Sequence, residues 1–192
     1  DEVEQVINPL LPEVLNFFES TYLDLAKSGG EKYIEFEKAT GNLFSERLEF
    51  EVEPTGQKKR PNEIGGYSDL FLIALDDYHC AIIDTKSTAT YSLNANDYLK
   101  MANSYIPSYM ELSPDKNMKL EFCSYVAGGF SSNIDERLNK LKSETGIPVS
   151  AISAHNLLRV CSNECSQEDL RATFAMGRKL DFDDFKTKKT SA

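Results

Sequence analysis

Two apolar runs, 67–75 and 78–86, joined across Asp76-Asp77 constrain the fold of this chain more than any other feature, because the second run closes in Asp84-Thr85-Lys86. Strand-like runs flanking two turn-forming aspartates read as a β-hairpin. Cys80-Ala81-Ile82-Ile83 is apolar on both faces, which predicts a strand at the centre of a sheet. Side chains alternate along a strand, so Asp84 and Lys86 share a face. Asp69, in Gly65-Gly66-Tyr67-Ser68-Asp69-Leu70-Phe71, falls at the same end if the two strands are antiparallel. Two converging carboxylates offer hard oxygen ligands to a divalent cation such as Mg2+. That constellation is suited to cutting a phosphodiester.

A bare Asp-x-Lys triplet is weak by itself, and Asp184-Phe185-Lys186 in the polar tail is a second one. Position separates them. Asp84 follows four residues that should be buried, where a charge is costly unless it is paired or binds metal. The competing account is a structural ion pair at a strand end. In the expected mechanism Asp69, Asp84 and the carbonyl of Thr85 hold the metal. Asp69, Asp84 and Lys86 are the catalytic set, with Lys86 orienting a water and offsetting charge on the phosphoryl oxygens. Glu37 could reach the metal through water or serve in a salt bridge. Lys58, Lys59 and Arg60 form a compact basic cluster that could contact DNA phosphates, or could be a solvated loop.

The remaining pattern gives the surroundings. Apolar positions at mostly helical spacing predict a helix over 3–27, broken at its start by Pro9 and Pro12 and ended by Ser28-Gly29-Gly30. A second helix over 31–47 should turn Tyr33, Ile34, Phe36, Leu43 and Phe44 inward. Residues 48–52 alternate like a strand, and 54–66 reads as an exposed loop. A helix over 94–110 interrupted near Pro107, a strand over 118–127, a helix over 132–143 and a strand over 149–154 follow. Helices over 155–161 and 166–176 close the order, the latter opened by a Ser166-Gln167-Glu168-Asp169 cap. Strands alternating with helices predict an α/β fold with a mixed central β-sheet flanked by helices. The expected division is an N-terminal helical segment (1–30), a catalytic domain (31–182) and a polar, frayed tail (183–192).

Composition limits the partners. A net charge of −10 over 192 residues equips the chain poorly to hold duplex DNA alone, so a nucleic-acid role must borrow affinity from another domain or subunit. No stretch is apolar and long enough to span a bilayer. Asp1 in place of Met and the lack of a signal-peptide pattern suggest a piece of a longer protein, and the missing export signal favours the cytoplasm. Cys80 and Cys123 lie in strand-like runs where a buried free thiol is common, and Cys161, Cys165 and His155 fall short of a zinc set. His79 and His155 have no serine or cysteine partner at a recognisable spacing, and Gly128-Gly129 lacks the Lys-Ser/Thr of a nucleotide-binding loop.

Phe36-Glu37 with Leu43-Phe44, then Gly65-Gly66-Tyr67-Ser68-Asp69, then Ile83-Asp84-Thr85-Lys86 come in the order of a known set of motifs. Tyr91-Ser92-Leu93, Val126-Ala127-Gly128-Gly129-Phe130, Arg137-Leu138-Asn139-Lys140-Leu141 and Asn156-Leu157-Leu158 continue that order. On these residues, over about 36–182, the chain resembles the PD-(D/E)XK nucleases. Within them it is similar to the cleavage domains of type IIS restriction endonucleases such as FokI. The resemblance implies the αβββαβ core and Mg2+-dependent endonuclease activity on double-stranded DNA, with Mn2+ as a substitute. Products would carry a 5′ phosphate and a 3′ hydroxyl. It further implies a separate DNA-recognition domain, a transient homodimer for double-strand cleavage, and a bacterial cytoplasmic setting. Ser68 stands where the family has Pro, and Lys100 and Ser104 stand where its dimer-forming Asp/Arg pair is expected. A repair or junction nuclease of the same superfamily and a non-catalytic dimerisation module are the alternatives.

Overall fold

The computed structural model describes residues 11–58, 66–76 and 78–186. Its centre is a six-stranded sheet in the order β1-β2-β3-β4-β5-β6. The strands are β1 (Glu51–Pro54), β2 (Leu70–Ile73), β3 (His79–Thr85), β4 (Lys119–Ala127), β5 (Val149–Ser153) and β6 (Lys179–Leu180). The first three run antiparallel, and β3 through β6 pair in parallel. This is the mixed sheet the sequence predicts, with β3 inside it and buried along nearly its whole length.

The helices are α1 (Leu11–Leu25), α2 (Tyr33–Glu46), α3 (Ala95–Lys100), a π-helical turn (Met101–Tyr105), α4 (Tyr109–Leu112), α5 (Ile134–Thr145), α6 (Ala154–Cys161), α7 (Gln167–Phe174) and a final 3-10 turn (Phe182–Phe185). They cover both faces of the sheet. On one face Tyr22, Phe36, Phe44, Leu157, Phe174 and Phe185 pack with Leu70, Leu72, Ala81 and Ile83. On the other, Tyr98, Met101, Ile134, Leu138 and Leu141 pack with Phe71, Ile82 and Tyr125. Alternate residues of β2 and β3 thus feed opposite cores, as the period of two requires.

Several expected boundaries move, each for a local reason. The first strand starts at Glu51, not Leu48, because Glu49 adopts a left-handed conformation (φ 60°) that breaks the extended run. The bend still delivers Leu48 and Phe50 to the core. Tyr33 and Ile34 are exposed rather than inward-facing, since they lie in the first turn of α2; Phe36, Glu37, Thr40, Gly41 and Phe44 form its buried face. The helix over 94–110 is three pieces, with Asn94 capping the first through a bond from the Asp97 N–H. β6, two residues long, has no sequence signature. Phe185 is buried, so packed structure runs past the start of the polar tail expected at Asp183. Residues 1–10 of the expected first helix and 187–192 of the tail lie outside the described residues.

Candidate active site

The β2–β3 ladder ends where the chemistry begins. Leu70 pairs with Ile83 as the last partners in register, so the next outward-bonding group on β3 is the backbone of Thr85. Asp69 takes its place: one carboxylate oxygen, Oδ2, accepts the Thr85 N–H at 2.6 Å and the Thr85 hydroxyl at 2.7 Å. The Asp69 backbone is held as firmly, its carbonyl accepting from Thr55 N–H (2.8 Å) and Gly56 N–H (2.9 Å). The Thr55 hydroxyl donates to the Ser68 carbonyl at 2.7 Å, fixing the residue before Asp69. Asp69 therefore stands at the end of β3, beside Asp84, as the hairpin argument requires.

Asp84 is 2% exposed, and its Oδ2 lies 2.8 Å from the Lys86 ammonium. Burial first, and then the charge of Asp69, push the Asp84 carboxyl up to about 7 against the pull of Lys86. Burial alone would lower the Lys86 pKa, but Asp84, Asp97 and Asp69 outweigh it and raise it above the ordinary value. Lys86 is therefore a cation in this site. Its backbone N–H bonds to the Val126 carbonyl at 2.8 Å, which continues the β3–β4 pairing one residue past Thr85.

Glu37, from α2, joins from the other core. It is 5% exposed, and burial followed by the Asp69 charge pushes it up to about 7, opposed by a hydrogen bond from Gln57. Gly56 makes room for it: a Cβ there would lie 2.9 Å from Glu37 Oε1 and 3.1 Å from the Asp69 Cα. Among the described residues no three His, Cys, Asp or Glu side chains are grouped closely enough to hold one metal ion. A cation would therefore rest on two carboxylates and backbone oxygen, with Glu37 further out. Thr85 can supply that oxygen, because the N–H and C=O of one strand residue face the same edge, and its N–H points to Asp69. A buried Asp84 repelled by the half-buried Asp69, with Lys86 paired to Asp84, fits a hard dication.

The segment after Lys86 brings in residues that the sequence motif does not name. Gly128 and Gly129, past the end of β4, let it approach: a Cβ on Gly128 would fall 2.7 Å from the Thr88 carbonyl, and one on Gly129 2.8 Å from the Ala89 carbonyl. Tyr91 N–H bonds to the Gly129 carbonyl at 2.8 Å, and its ring packs against Tyr125 and Phe130 at centroid distances of 5.6 and 6.2 Å. Tyr91 then donates its hydroxyl to Asp97 Oδ2 at 2.9 Å, and the same oxygen lies 3.9 Å from the Lys86 ammonium. Asp97 went unnoticed in the sequence because its only local mark is the Asn94 cap.

The family model described as the FokI cleavage domain matches residues 1–180. The chain belongs to the FokI cleavage-domain family. The type II restriction enzyme StsI of Streptococcus sanguinis is 25% identical over 185 residues, covering 87% of this chain and 29% of that protein. A structure of the restriction endonuclease FokI superposes with a TM-score of 0.69 at 16% identity, over 83% of this chain and 30% of that one. FokI bound to DNA gives 0.72 at 15% identity, over 85% and 30%. At those identities the FokI structures show a shared fold. The chain spans about three tenths of the length of these relatives.

Lys58 is exposed and ion-paired with Glu53; Lys59 and Arg60 lie outside the described residues. His79 pairs with Asp76 at the hairpin turn, remote in the strand from Asp84. The four cysteines are free thiols. Among the described residues no helix is long and apolar enough to cross a membrane.

Proposed function

We propose that this chain is the cleavage domain of a type IIS restriction endonuclease, hydrolysing DNA phosphodiesters without reading sequence itself. The observation that carries the reading is the convergence of Asp69, Asp84 and Lys86 at the open end of β3, Asp69 held by a hydrogen bond from Thr85 and Asp84 and Lys86 by their ion pair. Asp69, Asp84 and the Thr85 carbonyl would hold Mg2+, or Mn2+ in its place. When bound, that ion supplies polarisation of the scissile phosphate and a lowered pKa for its water. Lys86, held as a cation, orients the attacking water and offsets charge building on the phosphoryl oxygens. Glu37 presents a further carboxylate behind Asp69, placed to act through water.

A charge of −10 leaves DNA affinity to a separate recognition domain, and the relatives' greater length leaves room for one. One site per chain cuts one strand, so duplex cleavage needs two copies. Lys100, at a position where the family's dimer contact is expected, lies 3.9 Å from Asp97 Oδ1, which supports a dimer face close to the site. The catalytic unit takes in residues 31–182 and continues to the buried Phe185, α1 of the N-terminal segment (1–30) packs beside it, and the setting is the bacterial cytoplasm. Intact Asp69, Asp84 and Lys86 argue against a non-catalytic assembly module. Supercoiled plasmid incubated with the full-length protein should be cut with Mg2+, spared with EDTA, and spared by Asp84→Ala; cleavage by Asp84→Ala at the wild-type rate refutes the assignment.

A further inference from the structure

Lys86 has more company than its motif requires. Besides Asp84, the Asp97 Oδ2 oxygen stands 3.9 Å from its ammonium, and the ring of Tyr91 lies beneath it with the centroid 5.9 Å away. Asp97 itself is held from several sides. Its Oδ2 accepts from the Tyr91 hydroxyl and from Asn94 Nδ2, each at 2.9 Å, and Lys100 lies 3.9 Å from its Oδ1. Its backbone N–H is capped by Asn94, and its carbonyl receives the Tyr125 hydroxyl at 3.4 Å. The Asp97 side chain is only 13% exposed.

A helix cap does not need this arrangement. Asn94 alone satisfies the N–H of Asp97, and a carboxylate in the first turn gains from the helix dipole wherever it points. Here it points back at the lysine, and a buried tyrosine held between two other aromatic rings directs it there. Lysine is a flexible stem carrying a strongly hydrated charge, and ordering it is costly unless several groups define one position. With one Asp84 oxygen serving a cation, a second carboxylate near the ammonium helps define its position.

We propose that Asp97, aimed by Tyr91, is a positioning residue that fixes the Lys86 ammonium over the scissile phosphate while Asp84 serves the metal. This rests on the assignment of Lys86 to catalysis made above. It makes the helix after the catalytic strand a working part of the site.

The test is Asp97→Asn in the full-length protein, with Lys86→Ala and Tyr91→Phe beside it. Asp97→Asn should lower kcat roughly tenfold, about 1.4 kcal/mol of barrier, with KM for DNA and melting temperature unchanged. Tyr91→Phe, which keeps the ring and loses only the hydroxyl, should lower kcat by about twofold to fivefold. In metal-free protein, acylation of Lys86 by an amine-reactive ester, followed peptide by peptide, should be severalfold faster in Asp97→Asn, with other lysines unchanged. Wild-type kcat and wild-type Lys86 reactivity in Asp97→Asn, with Lys86→Ala inactive, overturn this inference and leave the assignment of the site standing. If Lys86→Ala cleaves as well as wild type, both fall. Should Asp97→Asn fail to fold, Tyr91→Phe decides: a lowered kcat at unchanged KM supports the proposal, and wild-type kcat overturns it.

Discussion

The carboxylate of Asp69 accepts two hydrogen bonds from Thr85, one from its backbone and one from its hydroxyl, through the single oxygen Oδ2. Asp69 thereby closes the hairpin in place of the next ladder pair and leaves its second oxygen free of Thr85. Thr85→Val keeps the β-branched shape and the backbone bond but loses the hydroxyl donor. A hydrogen bond to a charged group is worth about 1.5 to 3 kcal/mol. The melting temperature should fall by about 3 to 12 °C, at roughly 2 to 4 °C per kcal/mol for a chain of this size. DNA cleavage should drop as well, because Asp69 gains freedom to rotate. Calorimetric melting and a plasmid assay on the same preparation check both effects.

Gly56 is closely packed behind the site. A methyl group there would press on both Glu37 oxygens, at 2.9 and 3.0 Å, and on the Asp69 backbone at 3.1 Å. The Glu37 side chain can swing aside, but the Asp69 backbone is pinned by Thr55 and by Gly56 itself. Gly56→Ala should therefore cost about 1 to 3 kcal/mol of stability, the usual range for overpacking. It should also reduce cleavage more than Glu37→Gln does, since it displaces Asp69 itself rather than a neighbour. Equal cleavage rates for Gly56→Ala and wild type would contradict this placement of Asp69.

Divalent cations should stabilise the fold. Asp84 and Asp69 repel one another in the metal-free protein, and burial raises the penalty. A cation that binds only the folded state adds about 2.7 kcal/mol at a concentration one hundred times its Kd. Ca2+ should raise the melting temperature of the wild-type protein and leave Asp84→Asn nearly unmoved. A thermal-melt titration reads this without any cleavage step.

At the opposite end of the hairpin, Asp76 is ion-paired with Arg171 and lies 2.8 Å from His79 Nδ1. Burial works to raise the Asp76 carboxyl. Hydrogen bonds from Arg171, from the His79 ring and from the Tyr78 and His79 N–H groups outweigh it and hold the carboxyl well below the usual range. A carboxylate depressed in the folded state stabilises above its unfolded pKa, about 3.9, and loses that contribution as pH falls through its folded value. Asp76→Asn should cost about 1 kcal/mol at pH 7, given that the carboxylate is partly solvent-screened. The gap should narrow below about pH 4. Urea unfolding of both proteins at pH 7 and pH 3 checks the sign; a gap that widens on acidification contradicts it.

The shared face of Asp84 and Lys86 on β3 is legible because period-two alternation and a buried carboxylate leave few alternatives there. Asp69 followed from the antiparallel pairing of two adjacent strands. Asp97 is not legible as a partner of Lys86, and Glu37 is legible only as a carboxylate that could reach the metal through water, since both arrive on helices from different parts of the chain. Only packing of α2 and α3 on opposite faces of the sheet brings them to one end. The early strand was misplaced because a left-handed Glu49 has no mark in composition. The inward assignment of Tyr33 and Ile34 failed at a helix start, where an apolar residue need not meet the core.

The central claim is that Asp69 and Asp84 grip one cation with Thr85. Anomalous diffraction from crystals soaked in Mn2+ tests it most directly. The account predicts a single strong peak bonded to a carboxylate oxygen of each aspartate and to the Thr85 carbonyl, lost in Asp84→Ala. Mn2+ absent from that position, or bound there unchanged in Asp84→Ala, would contradict it.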